Sequence, residues 1–89
     1  MPRKETVTRV IDGDTFKTAS RKRPVRLANV NAPEKNKRGG ASATKALRSM
    51  IGGQTVLVET VARDRWGRAI ANVKVGRRSV NKAVKSRLK

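Results

Sequence analysis

The stretch ETVTRVIDGDTFKTA, residues 5–19, decides the fold. Residues 5–11 alternate in the way that is typical of a half-buried strand. The alternation predicts one strand face with Val7, Arg9 and Ile11, and the opposite face with Thr6, Thr8 and Val10. Asp12-Gly13 is a strong hairpin-turn dipeptide, and residues 14–19 return as a second strand. The sequence therefore predicts an antiparallel hairpin.

The residues that follow continue the β pattern and add two helices. After a basic loop at residues 21–24, residues 25–30 predict a third strand, and residues 54–62 and 69–75 predict a fourth and a fifth. A helix is predicted over residues 41–51, ended by Gly52-Gly53, on apolar residues at helical spacing: Ala43, Ala46, Leu47, Met50 and Ile51. Ser79 is predicted to cap a second helix, with the apolar stripe Val80, Ala83, Val84 and Leu88.

This order of elements favours a closed barrel. A small open sheet of five strands would leave unpaired edges that aggregate, whereas closure removes them. We predict a mostly β, α+β fold: an OB-fold β-barrel of five strands, with one helix between strands 3 and 4 and the second at the C-terminus. The 89 residues suit a single domain spanning residues 1–89.

The charge balance points to a polyanionic partner. The chain carries 23 Lys and Arg against 6 Asp and Glu, a formal net charge of +17, and neutralising phosphates with such side chains releases counterions. Low hydrophobicity with high charge is also typical of disordered basic proteins, but the regular alternation argues against disorder. A membrane surface fits less well, since no stretch combines an apolar face with aromatic anchors. The N-terminal residues lack the apolar segment of a signal peptide, so we expect a cytoplasmic protein.

The sequence contains no His and no Cys. Their absence excludes the usual zinc sites, disulfides and His-dependent nucleophiles, so a metal would need oxygen ligands. Acids are scarce, and four of the six lie in loops or at strand edges: Asp12, Asp14, Glu34 and Asp64. Such acids either carry function or pair with neighbouring basic residues.

Four short motifs occur in a distinctive order: Ile11-Asp12-Gly13-Asp14-Thr15, Val25-Arg26-Leu27, Asn31-Ala32-Pro33-Glu34 and Asp64-Arg65-Trp66-Gly67-Arg68. With them the chain resembles the staphylococcal nuclease (thermonuclease-like) family over about residues 5–88. That family has the same five-stranded OB barrel. The resemblance implies a member shortened at its C-terminus, because longer members continue into tyrosines that flank the nucleotide, and this sequence has no Tyr.

The resemblance implies Ca²⁺-assisted hydrolysis of phosphodiester bonds in DNA or RNA, with little sequence specificity. Glu34 matches the general base, and Arg26 and Arg68 match the two phosphate-binding arginines. These types suit the chemistry, because a carboxylate can accept the proton of the attacking water and guanidinium groups can bind phosphoryl oxygens. The alternatives are structural: Arg26 as a solvated residue, Arg68 paired with Asp64, and Glu34 paired with Lys35 or Lys37.

The resemblance also implies the metal ligands, which are Asp14, Asn31 and the carbonyl of Ala32. Asn31 stands where the family has an aspartate. An amide retains an oxygen ligand but removes one negative charge, so Ca²⁺ binding should be weak. The alternative function is therefore a catalytically silent, sequence-nonspecific nucleic-acid-binding OB-fold module. A weaker alternative is a protein that binds an acidic protein partner.

Further residues are candidates for nucleic-acid contact. Lys35, Lys37 and Arg38 follow Glu34 in a basic loop that suits contact with the phosphate backbone. Arg65 and Trp66 lie in the second basic turn, where Trp66 either stacks on a base or anchors the core. The expected partner is DNA or RNA, and we expect a monomer.

Overall fold

A computed structural model of the chain describes residues 2–88 and contains the predicted strands and helices. In chain order the elements are β1 (Arg3–Asp12), β2 (Thr15–Thr18), β3 (Val25–Leu27), α1 (Gly40–Ile51), β4 (Thr55–Arg63), β5 (Ala69–Val75), β6 (Arg78–Ser79) and α2 (Val80–Arg87). Only the two-residue strand β6 has no counterpart in the sequence prediction. It pairs with the end of β5 and leads directly into α2.

The first five strands form a closed barrel. Antiparallel pairs give the order β3-β2-β1-β4-β5, and a parallel pairing of β3 with β5 joins the two ends of the sheet. In that pairing Val25 lies opposite Ala69 and Leu27 opposite Ala71. The predicted α+β, OB-like barrel with two helices is therefore confirmed.

The barrel interior is filled by side chains that point inward from the strands, with both helices covering it. Phe16, Leu27 and Val58 are among the fully buried strand residues. Helix α1 packs on β1 and adds Leu47 and Ile51 to the core, while α2 packs on β5 and adds Val80 and Val84. Ser79 caps α2 as predicted, with its hydroxyl accepting a hydrogen bond from the Lys82 amide. Within the described chain, neither helix has the length and apolar character that crossing a bilayer requires.

A bulge in β1 changes which of its side chains face inward. Val7 pairs with Thr18, but the next pair joins Arg9 to Lys17, so β1 uses one more residue than β2. An extra residue inverts the alternation beyond it. Val7 and Val10 are consequently both buried while Arg9 is exposed. The prediction that Val7, Arg9 and Ile11 share one face was wrong for this reason.

Strand β3 is shorter than predicted. It ends at Leu27 rather than at residue 30, because Asn29 adopts a φ of 60° in the left-handed region, which asparagine tolerates better than most residues. The backbone turns there, although Ala28 and Val30 remain buried. In the first hairpin the two turn residues are Gly13 and Asp14, since Asp12 is still paired with Thr15.

Asn81 lies in helix α2 and supports the β3–β5 pairing that closes the barrel. Its side-chain oxygen accepts a hydrogen bond from the Val73 amide at 2.8 Å. Its Nδ2 group donates to the carbonyls of Ala28 at 2.9 Å and Ala71 at 3.0 Å. One buried amide therefore links α2, β5 and the chain just after β3.

Glu5 is a second buried polar residue, 4% exposed on β1. Its carboxylate accepts hydrogen bonds from the hydroxyls of Thr18 and Ser20 and from two nitrogens of Arg21, each of the latter at 2.8 Å. Burial alone raises the pKa of Glu5, but hydrogen bonds from Arg21, Thr18 and Ser20 outweigh burial and hold the pKa below its ordinary value of 4.5. The ionised carboxylate thus ties the β2–β3 loop to the barrel.

We expect Asn81→Asp to destabilise the protein, because a carboxylate cannot donate to the buried carbonyls. The Ala28 carbonyl is left without a donor, which costs about 1–3 kcal/mol, whereas the Ala71 carbonyl still accepts from the Ala28 amide. Asn72→Asp makes the same chemical change at an exposed position of β5 and should alter stability by no more than about 0.5 kcal/mol. Urea unfolding followed by circular dichroism measures both. Equal losses would contradict the role given to Asn81.

Glu5 should make stability depend on pH. Its pKa is lower in the folded chain than in the unfolded chain, so its contribution is present above 4.5 and is lost as the pH falls through the folded-state value. At neutral pH we expect Glu5→Gln to lower the free energy of unfolding by about 1.5–3 kcal/mol, and this difference from wild type should shrink in acid. Glu59→Gln, an equal charge change at an exposed residue, is the control. A difference that is constant across pH would contradict the prediction.

Candidate active site

Asp14 lies at the centre of the candidate site, in the β1–β2 turn, and is only 6% exposed. The Thr15 hydroxyl donates to its Oδ1 at 2.8 Å, and the Ala32 amide donates to its Oδ2 at 3.0 Å. The guanidinium of Arg26 approaches the same Oδ2 at 3.6 Å, because β2 and β3 pair with Thr15 opposite Arg26. The structure therefore brings three predicted site residues together: Asp14, Arg26 and Ala32.

Glu34 is held near this group by its loop. The Lys35 amide donates to Asp12 Oδ1 at 3.1 Å, so the loop is bound to the β1–β2 turn on both sides of Glu34, at Ala32 and at Lys35. The Glu34 carboxylate is exposed and forms no ion pair with any residue from 2 to 88, including Lys35 and Lys37. It is thus free to accept a proton or a hydrogen bond from solvent.

Two glycines permit the close packing around this loop. A Cβ at Gly13 would lie 2.6 Å from the Cβ of Ala43 in α1 and 2.8 Å from the Cβ of Ala32. A Cβ at Gly40 would overlap the carbonyl oxygen of Glu34. Only glycine at these positions lets the turn and the start of α1 approach the loop this closely.

Arg68 is oriented by Asp64. The carboxylate of Asp64 accepts hydrogen bonds from Arg68 Nε at 2.6 Å and from the amides of Arg68 and Trp66. Partial desolvation raises the pKa of Asp64, but the bonds from Arg68 and Trp66 outweigh it, and the pKa lies below its ordinary value of 3.8. The ion pair that the sequence left open is therefore present. It uses Nε, and the terminal amino groups of Arg68 make no hydrogen bond within residues 2–88.

The strand pairing places Arg68 near Arg26. Val25 of β3 lies opposite Ala69 of β5, and Arg68 directly precedes Ala69. Arg26 lies opposite Ile70, two residues after Arg68, so the two arginines are offset by only two residues in this register. Among the described residues, hydrogen bonds and ion pairs join Asp14, Arg26 and Ala32 directly, whereas Glu34 and Arg68 are placed by the loop and by this register.

The predicted metal ligands Asp14 and Asn31 lie in different surroundings. Asn31 is exposed and lines a groove of about 410 Å³ that α1 and α2 form with Pro33. Both carboxylate oxygens of Asp14 already accept hydrogen bonds from the protein. Across residues 2–88, no group of three or more His, Cys, Asp or Glu side chains could hold a metal ion.

The candidate nucleic-acid contacts are all exposed: Lys35, Lys37, Arg38, Arg65 and Trp66. Trp66 is 59% exposed, so it does not anchor the core. The guanidinium carbon of Arg65 lies 4.6 Å from the centre of its ring, and that of Arg68 lies 5.4 Å away. The turn therefore presents an aromatic surface framed by positive charge.

Sequence reasoning missed three supporting residues. Thr15 fixes the Asp14 carboxylate, Asp12 holds the loop at Lys35, and Arg23 donates from Nη1 to the Trp66 carbonyl at 2.7 Å. The sequence predicts Asp12 in the hairpin turn and leaves open whether it carries function or pairs with a basic residue. Thr15 is the direct neighbour of Asp14 in the motif, so its position next to the carboxylate was a local signal. The bond of Arg23 joins residues 43 positions apart, for which the sequence gives no periodic signal.

Comparison with known proteins finds related sequences. The family model of the staphylococcal nuclease homologues matches residues 24–86, a range that includes Arg26, Glu34 and Arg68. A protein of Escherichia coli named as an uncharacterized endonuclease is 41% identical over 69 residues, which cover 75% of this chain and 45% of the relative. Protein ParB of Escherichia coli is 42% identical over 69 residues, covering 75% of this chain and 39% of the relative. The chain thus spans less than half the length of these curated relatives.

Proposed function

Because the chain belongs to the family of staphylococcal nuclease homologues, we propose that it is a nuclease that hydrolyses phosphodiester bonds of DNA or RNA with little sequence preference. The observation that supports this best is the cluster around Asp14, with Arg26 at 3.6 Å and the tethered Glu34 loop beside it. Relatives named as endonucleases support the general activity.

The two arginines bind the phosphate and its developing charge. A guanidinium remains protonated at any working pH and offers donors in a planar fork that suits phosphoryl oxygens. Arg26 is held by Asp14, and Arg68 is held through Nε, which leaves its terminal amino groups for a ligand. Removing one such donor from a transition state costs about 2.7–4 kcal/mol by analogy with oxyanion holes.

Glu34 acts as the general base. The oxygen of a water molecule forms a bond to phosphorus while one ester P–O bond breaks. The proton of that water passes to the Glu34 carboxylate, and the leaving oxygen takes a proton from solvent. The exposed carboxylate suits this role because no ion pair with Lys35 or Lys37 occupies it.

The site offers the types of donor that Ca²⁺ prefers, but these ligands together carry little negative charge. The Asp14 carboxylate, the Asn31 amide oxygen and the Ala32 carbonyl are the hard oxygen ligands that Ca²⁺ prefers. When bound, the ion would supply electrostatic stabilisation of the phosphoryl oxygens. Since Asp14 alone is charged and Arg26 lies 3.6 Å from it, we propose that Ca²⁺ binding is weak and that cleavage is slow.

A second candidate is a nucleic-acid-binding module without turnover. It is favoured by the net charge of +17 and by the hydrogen bond that each oxygen of the Asp14 carboxylate already accepts from the protein. Such a module would bind nucleic acid in the presence of a chelator, with an affinity that falls steeply as salt rises.

Glu34→Gln should abolish most of the cleavage. The amide keeps the shape of the side chain but cannot accept the proton, and general-base catalysis contributes about 10²–10⁴-fold. Plasmid cleavage with Ca²⁺, and with chelator as a blank, measures the rate. Glu59→Gln is the charge-matched control and should cleave like wild type. Cleavage by Glu34→Gln at the wild-type rate would remove Glu34 from the mechanism.

Asn31→Asp separates the two candidates. If the metal site is assembled but lacks charge, the added carboxylate should tighten Ca²⁺ binding about tenfold in calorimetry and speed cleavage, because affinity rises with ligand charge. Asn36→Asp adds the same charge to the same loop and is the control. An Asn31→Asp protein that behaves like Asn36→Asp would contradict the metal assignment and favour the binding module.

A further inference from the structure

A basic groove lies next to the 64–68 turn, outside the site described above. It has a volume of about 250 Å³ and is lined by Arg21, Lys22, Arg23, Arg63 and Ala69. Four of these five residues are cationic and none is acidic. Ala69 directly follows Arg68, so the groove begins where the proposed active site ends. We call it the Arg23 groove.

The Arg23 groove is built onto the turn that carries Trp66. Arg23 Nη1 donates to the Trp66 carbonyl at 2.7 Å, and Arg63 Nη1 donates to the Gly67 carbonyl at 3.3 Å. These bonds hold two guanidinium groups against the backbone of the turn that carries the exposed indole and Arg68. The charges of Arg23 and Arg63 are therefore positioned by backbone carbonyls and not by carboxylates.

Most of the charge in the groove is not neutralised by the protein. Arg21 pairs with Glu5 at 2.8 Å. Lys22, Arg23 and Arg63 form no ion pair with any residue from 2 to 88, and the nearby Asp64 is committed to Arg68. Like charges held this close together repel one another, and a bound anion relieves the repulsion.

We propose that the Arg23 groove binds the sugar–phosphate backbone of a single-stranded nucleic acid, on one side of the bond that the active site holds. This inference rests on the proposed function. A strand offers regularly spaced phosphates to the arginines and a base to the exposed Trp66, and positive grooves combined with stacking aromatics are the usual single-strand site. The groove thus makes longer strands better ligands than short ones.

Oligonucleotides of two lengths test the proposal. Fluorescence anisotropy measures the affinity for labelled oligothymidylates in the presence of a chelator. A strand of about two nucleotides is too short to reach the groove, and one of about twelve nucleotides reaches it. Lys22→Gln/Arg63→Gln removes two groove charges but leaves Arg23 on the turn. Arg77→Gln/Arg78→Gln removes two exposed charges at the β5–β6 turn and is the matched control.

For the longer strand, the plot of log affinity against log salt has a negative slope. We expect Lys22→Gln/Arg63→Gln to make this slope shallower by about 1.4, which is about 0.7 for each lost phosphate contact. The control variant should have the same slope as wild type. Neither variant should bind the shorter strand differently from wild type. Arg23→Lys keeps the charge and should keep the slope. Trp66 emission in each variant shows whether the turn is intact.

The proposal is overturned if the groove variant keeps the wild-type slope, or if the control loses as much. It is also overturned if the variant loses heparin binding but not oligonucleotide binding, which would indicate a different polyanion. These binding measurements involve no cleavage. A failure of the Glu34→Gln experiment would therefore leave the groove result standing, and a failed groove test would leave the nuclease proposal intact.

Discussion

The parallel pairing of β3 with β5 is the constraint on which the molecule depends. It closes the barrel, since the other strands pair as antiparallel neighbours. It also places Arg26 opposite Ile70, two residues after Arg68. The pairing covers only three residues of β3, so it needs support from outside the sheet. Asn81 supplies it by hydrogen bonding to the Ala28 and Ala71 carbonyls from helix α2.

The few carboxylates organise a chain that is dominated by positive charge. Glu5 fixes the β2–β3 loop through Arg21, Asp12 and Asp14 bind the amides of the loop that carries Glu34, and Asp64 orients Arg68. Each of these acids accepts hydrogen bonds from a loop or turn and so fixes its position. The proposed function uses the same arrangement, because the arginines that the acids hold keep donors for a phosphate.

Much of the fold could be predicted because it follows from local periodicity. Alternation gave the strands, the spacing of Ala43 to Ile51 gave α1, and Ser79 marked the start of α2. The bulge between Val7 and Arg9 could not be predicted, since nothing in an alternating run marks an extra residue. The burial of Glu5 was equally hidden, because it depends on Arg21 arriving from another segment.

The candidate site was predictable to a smaller extent. The motifs identified Asp14, Arg26 and Ala32, which lie together, but not the exposure of Asn31 at a groove beside both helices. Trp66 could be read as core or as surface, and only the folded turn shows that it is exposed. The hydrogen bonds of Arg23 and Arg63 to that turn join residues whose sequence context is merely basic.

The bond from Asn81 to Ala28 also affects how the protein is made. The two residues are separated by 53 positions in the chain. A nascent polypeptide leaves the ribosome at about 5–20 residues per second and folds as its segments emerge. The first hairpin can therefore form early. The hydrogen bond of Asn81 that supports the β3–β5 pairing can form only after residue 81 has emerged. Until then we expect the barrel to be incompletely supported, with apolar core residues exposed to solvent.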